Sequence, residues 1–475
     1  MPDTLITGFF SAAGTPLEIW QRDPGVVPDP DPKTCEYIHF DLSVENLGHT
    51  KRYNCWGFTF LPRRYWLSRT AVDTLLQDNC DPVPDGSVQV GDIIRYRDYT
   101  NTTQHTGRVW QTDGSGHATW IRSKWGPSGE YIHAPLDVPS IYGTNLAYFR
   151  QKAPLRGDAA ETNKIAELWI KDSPTDNGEQ GVRAPWWTSP DILVDAFPFD
   201  GAPDVNPVFD HPNRVWAVVH NRTNQRVDNV YVRFYWADPA AGLAPSSWNP
   251  IPSSPGHPNP VGPISINGYS NAETDYVEWT PTASPAHQCL LAIAHINDNP
   301  QDSNNPDPIV YPFEIPWDSN IAQRNVHVMP LENGSNGELS INIGNPSLKA
   351  KEVTGSINAV LTFSPSLPLI GFPRDIRPLM VSISLNKTPG APLKSWDKIQ
   401  KIEGRFIPDN LYHGERAIAG LTLRKLTFLP KKPHRLGVKI TVPRDALKGS
   451  VYYLHIAQTV FGMVTGGYTV VVVVV

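Results

Sequence analysis

Two stretches of this chain hold residue types able to do covalent chemistry. They are Tyr53-Asn54-Cys55-Trp56-Gly57-Phe58 and, further along, Gln104-His105-Thr106-Gly107-Arg108-Val109. A thiol and an imidazole far apart in sequence need only be neighbours in space to act as nucleophile and base. At the start of a helix, Cys55 would feel the positive end of the helix dipole, and a nearby imidazolium would add to it. Together they would bring the thiol below its ordinary pKa of ~8.5. His105 enters a strand-like run, from which it could cross a cleft and protonate a leaving amine. The backbone N–H groups of Cys55 and Trp56 are then candidates for holding an oxyanion, and Gly57 leaves room for a substrate chain. The alternative for Cys55 is a packed core thiol.

A catalytic histidine needs an acceptor for its second ring N–H, and the next strand must supply it. Asp113-Gly114-Ser115-Gly116 is hairpin chemistry between His105–Gln111 and His117–Trp125. A turn centred on Gly114-Ser115 pairs His105 with Lys124 and Gly107 with Arg122. It also puts Trp120, Arg122 and Lys124 on the face of His105. Arg122 has no acceptor, so it cannot orient the ring. A one-residue shift would bring Ser123 to that face, and His133 on the following strand is the other candidate.

The order of these pieces resembles the NlpC/P60-like branch of papain-type cysteine hydrolases. The resemblance rests on Asn54-Cys55, Gly91-Asp92-Ile93-Ile94 and His105-Thr106-Gly107-Arg108-Val109, together with Ser123-Lys124-Trp125-Gly126-Pro127 and Glu130-Tyr131-Ile132-His133. It implies an α+β papain-like domain over about residues 50 to 150, with Cys55 as nucleophile and His105 as base, acting on a peptide or peptidoglycan-like amide. Gly91 and Asp92 read as turn residues.

The elements that must position these groups follow from pattern and composition. The chain has 475 residues, 47 of them proline, roughly twice the usual ~5% share, which favours short strands joined by turns. Ser68 caps a short helix through Ala71, Val72, Leu75 and Leu76, and Val90–Tyr96 alternates as a strand. Residues 1–34, rich in Pro, Asp and Gly, read as an extended arm. Residues 35–158 form the α+β hydrolase-like unit, and 159–330 and 331–475 read as two β-sandwiches. Leu168–Ser173, Ser189–Ile192 and Val218–Arg222 resemble bacterial immunoglobulin-like modules, which implies fold more than activity. The expected architecture is therefore multidomain: one α+β unit followed by two all-β immunoglobulin-like sandwiches.

Net charge is −6 and the isoelectric point about 6.2, so there is no basic field for nucleic acid or anionic membrane. No apolar run approaches the ~20 residues of a membrane span. The first residues lack the charged and apolar regions of a signal peptide, so any export would use a non-classical route. The four cysteines are Cys35, Cys55, Cys80 and Cys289. They allow a Cys35–Cys80 bridge or buried free thiols. They form no close pair for zinc, and the acidic loop around Asp298, Asp302 and Asp307 does not fit a calcium-binding spacing. No cofactor is expected. Trp186-Trp187 is the surface candidate for a glycan or protein partner, whereas Trp216 and Trp236 read as core. The Val470–Val475 run is either a last core strand or a strand offered to a partner's sheet edge. Two functions remain: a cysteine-dependent amide hydrolase carried on β-sandwiches, or a non-catalytic adhesive, structural or assembly protein.

Overall fold

The computed structural model describes residues 4–21, 53–61, 65–113, 115–126, 130–153 and 155–157 of the first third of the chain. Beyond it, residues 168–296, 319–344, 352–363, 379–385, 400–401 and 416–475 are described, apart from stretches of one to six residues. Cys35 and the Asp298–Asp307 loop lie outside the described residues.

The chain is built from β-sheets. The described residues hold thirty strands and only two α-helices, α1 (Cys55–Phe60) and α2 (Arg69–Asp78). This overturns the α+β papain-like expectation and, with it, the assignment to NlpC/P60-like hydrolases. Sequence punctuation accounts for the shortness of both helices. Asn54 caps α1, its side chain accepting from the N–H of Gly57. After six helical residues Leu61, which precedes Pro62, is extended at φ −130° and ψ 150°, as a residue before proline prefers. Ser68 caps α2 by accepting from the N–H of Ala71, and the helix stops at Asn79.

The first third is organised on a six-stranded antiparallel sheet. Its order is Cys80–Val83, Asn145–Gln151, Ile93–Arg97, Thr103–Thr112, Ala118–Lys124 and Glu130–His133. Both helices cover one face, packing Phe60, Val72, Leu75 and Leu76 with Ile93 and Cys80. The other face gathers Val88, Ile94, Tyr96, Val109 and Ile121. Residues 4–21, expected as part of an extended arm, are folded onto this unit. Thr4–Ile6 pairs with Ile19–Gln21, which pairs with Trp66–Leu67, and Phe9–Phe10 pairs with Arg156–Gly157. Ile6, Phe9, Leu17 and Ile19 supply apolar surface to the helix-side core.

Two sandwiches follow. In the first, the sheet of Leu168–Trp169, Asn213–Asn221 and Ile192–Ala196 faces that of Val227–Ala237, Cys289–Ile296 and Ile321–Arg324 across a shared core. In the second, a five-stranded sheet includes Val353–Phe363, Val451–Val460 and Met463–Val474. It packs against Asn336–Ile343, His434–Thr441 and Met380–Leu385. Met463–Val474 pairs antiparallel with Val451–Val460 and parallel with Val326–Leu331, so both of its edges are occupied within the chain. Val470, Val472 and Val474 are buried, which makes the valine run an interior strand and not an open edge.

The surface expectation for Trp186-Trp187 is reversed, whereas Trp236 packs against the core of the first sandwich as expected. Trp186 and Trp187 are buried, Trp187 completely, whereas Trp216 and Trp236 are only partly so. Cys80 is a free buried thiol, so the Cys35–Cys80 bridge is not formed.

Candidate functional site

Asn54 builds the start of α1 and ties it to its surroundings. Its Oδ1 accepts from the N–H groups of Gly57 at 2.9 Å and Leu67 at 3.4 Å, and its Nδ2 donates to Leu67 O at 2.9 Å. Gly57 has a packing role and not the substrate role expected of it. A Cβ there would fall 1.9 Å from the Tyr65 carbonyl oxygen. The far end of α1 is held by buried Arg108, whose Nε donates to Thr59 O at 3.2 Å and whose Nη1 donates to Gly91 O at 2.9 Å. A guanidinium on the last carbonyls is favourably placed against the helix dipole.

Cys55 is the first residue of α1 and is 6% exposed. Burial pushes its thiol up to about 12, against the lowering effect of the backbone N–H groups of Thr106, Trp56 and Cys55 itself and of the Lys124 charge. Three backbone N–H groups therefore favour the thiolate form. Two of them are the groups expected to form an oxyanion hole. The third comes from the His105 strand just beyond Arg108↔Arg122, the last pair that strand makes with Ala118–Lys124. Thr59 Oγ1 bonds the Cys55 carbonyl at 2.8 Å and lies 2.8 Å from Thr106 Oγ1, locking the helix to that strand.

Register decides the rest. Arg108 pairs with Arg122, Val109 with Ile121 and Gln111 with Trp120, with irregularities on either side of Gln111. The pairing is thus displaced by one residue from a turn centred on Gly114-Ser115. Arg122 consequently lies on the α1 face, its guanidinium 5.5 Å from the Phe58 ring centre and 5.4 Å from that of Trp110. Arg122 is removed from the position opposite the histidine. Lys124 shares the α1 face, wholly buried, with Nζ 5.1 Å from the Tyr53 ring and donating to Gly126 O at 2.8 Å.

His105 pairs with Tyr96 and points to the opposite face. Its ring is completely buried, tilted 5.3 Å from that of Tyr96 and stacked on that of Tyr142 at 3.9 Å and 5°. Neither ring nitrogen has a hydrogen-bond partner among the described residues. Burial, with His133 nearby, holds its pKa well below the ordinary histidine value, so the ring is neutral. Ser123 does reach the His105 side of the sheet, where a Cβ on Gly107 would meet it at 2.9 Å. It does not orient His105. Its Oγ is bonded to His133 Nε2 at 2.8 Å and accepts from Trp125 Nε1 at 3.1 Å. His133 Nδ1 lies 2.8 Å from Ala134 O, an acceptor only, which fixes Nδ1 as the protonated nitrogen and Nε2 as the acceptor of the serine proton. His133 is therefore spent on Ser123, and neither candidate orienter serves His105.

Tyr142 is the residue that sequence reasoning missed. It ends the 3-10 turn Ser140–Tyr142. It stacks on His105, and its own pKa is raised first by burial and then by the charge a Cys55 thiolate would carry. It is thus a direct neighbour of the His105 ring. Its only signal in the sequence is the Pro139 and Gly143 that bracket a short turn. Asp92 accepts a bidentate pair from Arg150 at 2.8 Å and a backbone N–H from Gln89 at 2.8 Å, while Gly91 has φ 92°. Both shape the turn into the Ile93 strand. No group of three or more metal-binding side chains occurs among the described residues.

No family model matches this sequence, and no curated protein matches it. Among solved structures, a family 123 glycoside hydrolase from Clostridium perfringens is 14% identical over 32% of this chain and 23% of its own, with a TM-score of 0.19. The chain thus spans less than a quarter of that protein. Red sea bream transglutaminase is 10% identical over 78% of this chain and 39% of its own, with a TM-score of 0.15. The C-terminal domain of the Streptococcus agalactiae AgI/II polypeptide BspA is 8% identical over 60% and 98%, with a TM-score of 0.17. Likeness at this level leaves fold and function to be argued from the residues of the chain itself.

Proposed function

We propose that the N-terminal unit is a thiol-dependent amide hydrolase with Cys55 as nucleophile and His105 as proton carrier, borne on the two β-sandwiches. The observation that supports this most is the place of Cys55 at the Asn54-capped start of α1, where neighbouring backbone N–H groups favour its thiolate. Amide donors aimed at one atom stabilise negative charge there, and buried Lys124 adds a positive field. In the closed arrangement burial keeps thiol and imidazole uncharged. Entry of water or substrate would lower the thiol pKa and raise that of the imidazole, and the proton would pass from sulfur to ring through the water that has entered. The thiolate would then attack the amide carbonyl, forming the C–S bond. As the C–N bond breaks, His105 would return the proton to the amine. Water would hydrolyse the thioester to the acid and regenerate the thiol.

The test is amine release from a panel of peptide amides, with mass-spectrometric detection of the acyl group on Cys55. Cys55→Ala should abolish release, and His105→Gln should lower it by about 10²-fold or more. Equal release by Cys55→Ala would overturn the proposal.

A second reading is favoured by a different observation. Cys80 and Cys289, also free buried thiols, are pushed up to about 12 by burial just as Cys55 is. On that reading Cys55 is a core thiol and the chain is a non-catalytic adhesive or assembly component. Absence of thiol-dependent turnover across the peptide-amide panel would favour it.

A further inference from the structure

The first sandwich turns an aromatic face outward. Along Asn213–Asn221, Val215, Ala217 and Val219 point into the core, so Arg214, Trp216, Val218 and His220 line the other side of the sheet and stay partly exposed. Neighbouring strands widen this row: Leu193 pairs with Trp216, Trp169 with His220 and Glu278 with Arg214. The rings hold one another in place. Trp169 stacks on His220 at 4.2 Å, and His220 Nε2 is fixed 2.7 Å from Asp191 Oδ2. The Arg214 guanidinium lies 4.0 Å from the Phe199 ring centre and 4.7 Å from that of Tyr276, which stacks on His257 at 4.2 Å. Phe197, 46% exposed, carries the run on from Phe199 to His211. The donors of Arg214 are not spent. Its Nε has no hydrogen-bond partner among the described residues, and Asp195 Oδ2 stands 3.9 Å from its Nη1, beyond hydrogen-bond distance.

We propose that this face binds a neutral, extended oligosaccharide. Rings on the core side of a sheet are explained by packing. On the outer side, rings fixed by stacking and an ion pair offer flat apolar surface at little cost in ordering. The polar groups among them select the partner. Arg214 and Lys171, whose Nζ lies 6.0 Å from the Trp169 ring, supply positive charge. Asp195 beside Arg214, Glu278 opposite it and Glu273 opposite Val218 supply negative charge. The two signs are interleaved, so a polyanion would meet the carboxylates and a polycation would meet Arg214 and Lys171. A dry protein contact would have to strip water from all of these charges. Sugar hydroxyls both donate and accept, which matches such a mixture, while the C–H face of a sugar ring covers an aromatic one. From Arg214 to His220 the row runs ~20 Å at ~3.3 Å per residue, room for several sugar units in line. The proposal stands independently of the hydrolase reading.

The experiment is isothermal titration of the full chain with cellohexaose, chitohexaose, xylohexaose and mannohexaose, and with a hyaluronan hexasaccharide as the acidic probe. At least one neutral hexamer should bind, and the acidic one should bind more weakly. Trp216→Ala and Tyr276→Ala should each weaken binding about ten-fold or more, while Tyr276→Phe, which keeps the ring, should stay within about two-fold of wild type. Hydroxyl-radical footprinting of wild-type protein locates the site without any variant. The bound hexamer should protect Trp216, Tyr276 and Phe197 and leave the fully exposed Tyr99 unchanged. Binding of no neutral hexamer would overturn the proposal, as would binding that leaves these rings unprotected. Tighter binding of the acidic hexamer would overturn the neutral partner. Concentration-dependent dimerisation that Tyr276→Ala abolishes would assign the face to a second copy of this chain.

Discussion

His133 shows how a side chain promising as catalyst is put to structural use. Its ring is buried with every nitrogen satisfied, Nδ1 donating to Ala134 O and Nε2 accepting from Ser123. Burial lowers its pKa to about 4, and the Ala134 carbonyl only partly offsets that. An unfolded histidine titrates near ~6.5, so on acidification the unfolded chain binds the proton first and the folded chain resists it. The contribution of this residue is therefore present above pH ~6.5 and is lost as pH falls towards about 4, the size being on the order of 3 kcal/mol. His105, shifted in the same direction, adds to the loss. Urea titrations at neutral and mildly acid pH should show the decline, and His133→Gln should show less of it. An identical pH slope in the variant would contradict the assignment. At this scale Cys55, His105 and Ser123 were visible in the sequence as reactive types. What each is bonded to was not, because hydrogen-bond partners depend on which sheet face a residue occupies.

That face is an element-scale property. Period-two alternation makes the strands from Ile93 to Lys124 recognisable, and hairpin chemistry places the turn. A one-residue displacement, marked by irregular pairing around Gln111, exchanges the faces of Arg122 and Ser123. No local signal in the turn residues announces it. The capping of α1 and α2 by Asn54 and Ser68, by contrast, follows from residue type alone. Gly57 illustrates the other limit. A glycine after a reactive cysteine suggests space for a ligand, yet the space is filled by the Tyr65 carbonyl. Gly57→Ala should therefore destabilise the N-terminal unit by about 3 kcal/mol, at the upper end of overpacking costs, because backbone cannot yield as a flexible side chain can. Asn54→Ala should cost about 1 kcal/mol through the lost cap. Denaturant unfolding would measure both. A Gly57→Ala protein as stable as wild type would mean that the Tyr65 backbone gives way.

On the scale of the whole molecule, the two sandwiches are bound through one strand with two dry faces. Along Cys289–Ile296, Leu290, Ala292 and Ala294 enter the core of the first sandwich. Cys289, Leu291 and Ile293 enter a cluster shared with Trp187, Ile456, Tyr468 and Val470 of the seam and the second sandwich. The uninterrupted apolar run Cys289-Leu290-Leu291-Ala292-Ile293-Ala294 has this double burial as its physical cause, so the strand was legible while its second partner was not. Trp187 closes the seam. Its Nε1 donates to Thr469 Oγ1 at 2.9 Å, and its ring lies where a Cβ on Gly467 would come within 2.2 Å. Asn325 stitches the same point, donating Nδ2 to Gly467 O at 2.9 Å and N–H to Trp187 O at 2.9 Å, and accepting from Thr469 N–H at 2.9 Å. Apolar contact and backbone pairing of this density join the two sandwiches into one cooperative unit, and wild-type protein should melt both in a single calorimetric transition. Trp187→Ala would leave a cavity between them, at a cost of about 3–5 kcal/mol, and Gly467→Ala would force the indole out of its bed. Either change should split the transition in two, the first sandwich and the second unfolding at separate temperatures. A single transition in both variants, lowered but undivided, would show that the shared face of Cys289–Ile296 couples the sandwiches without Trp187.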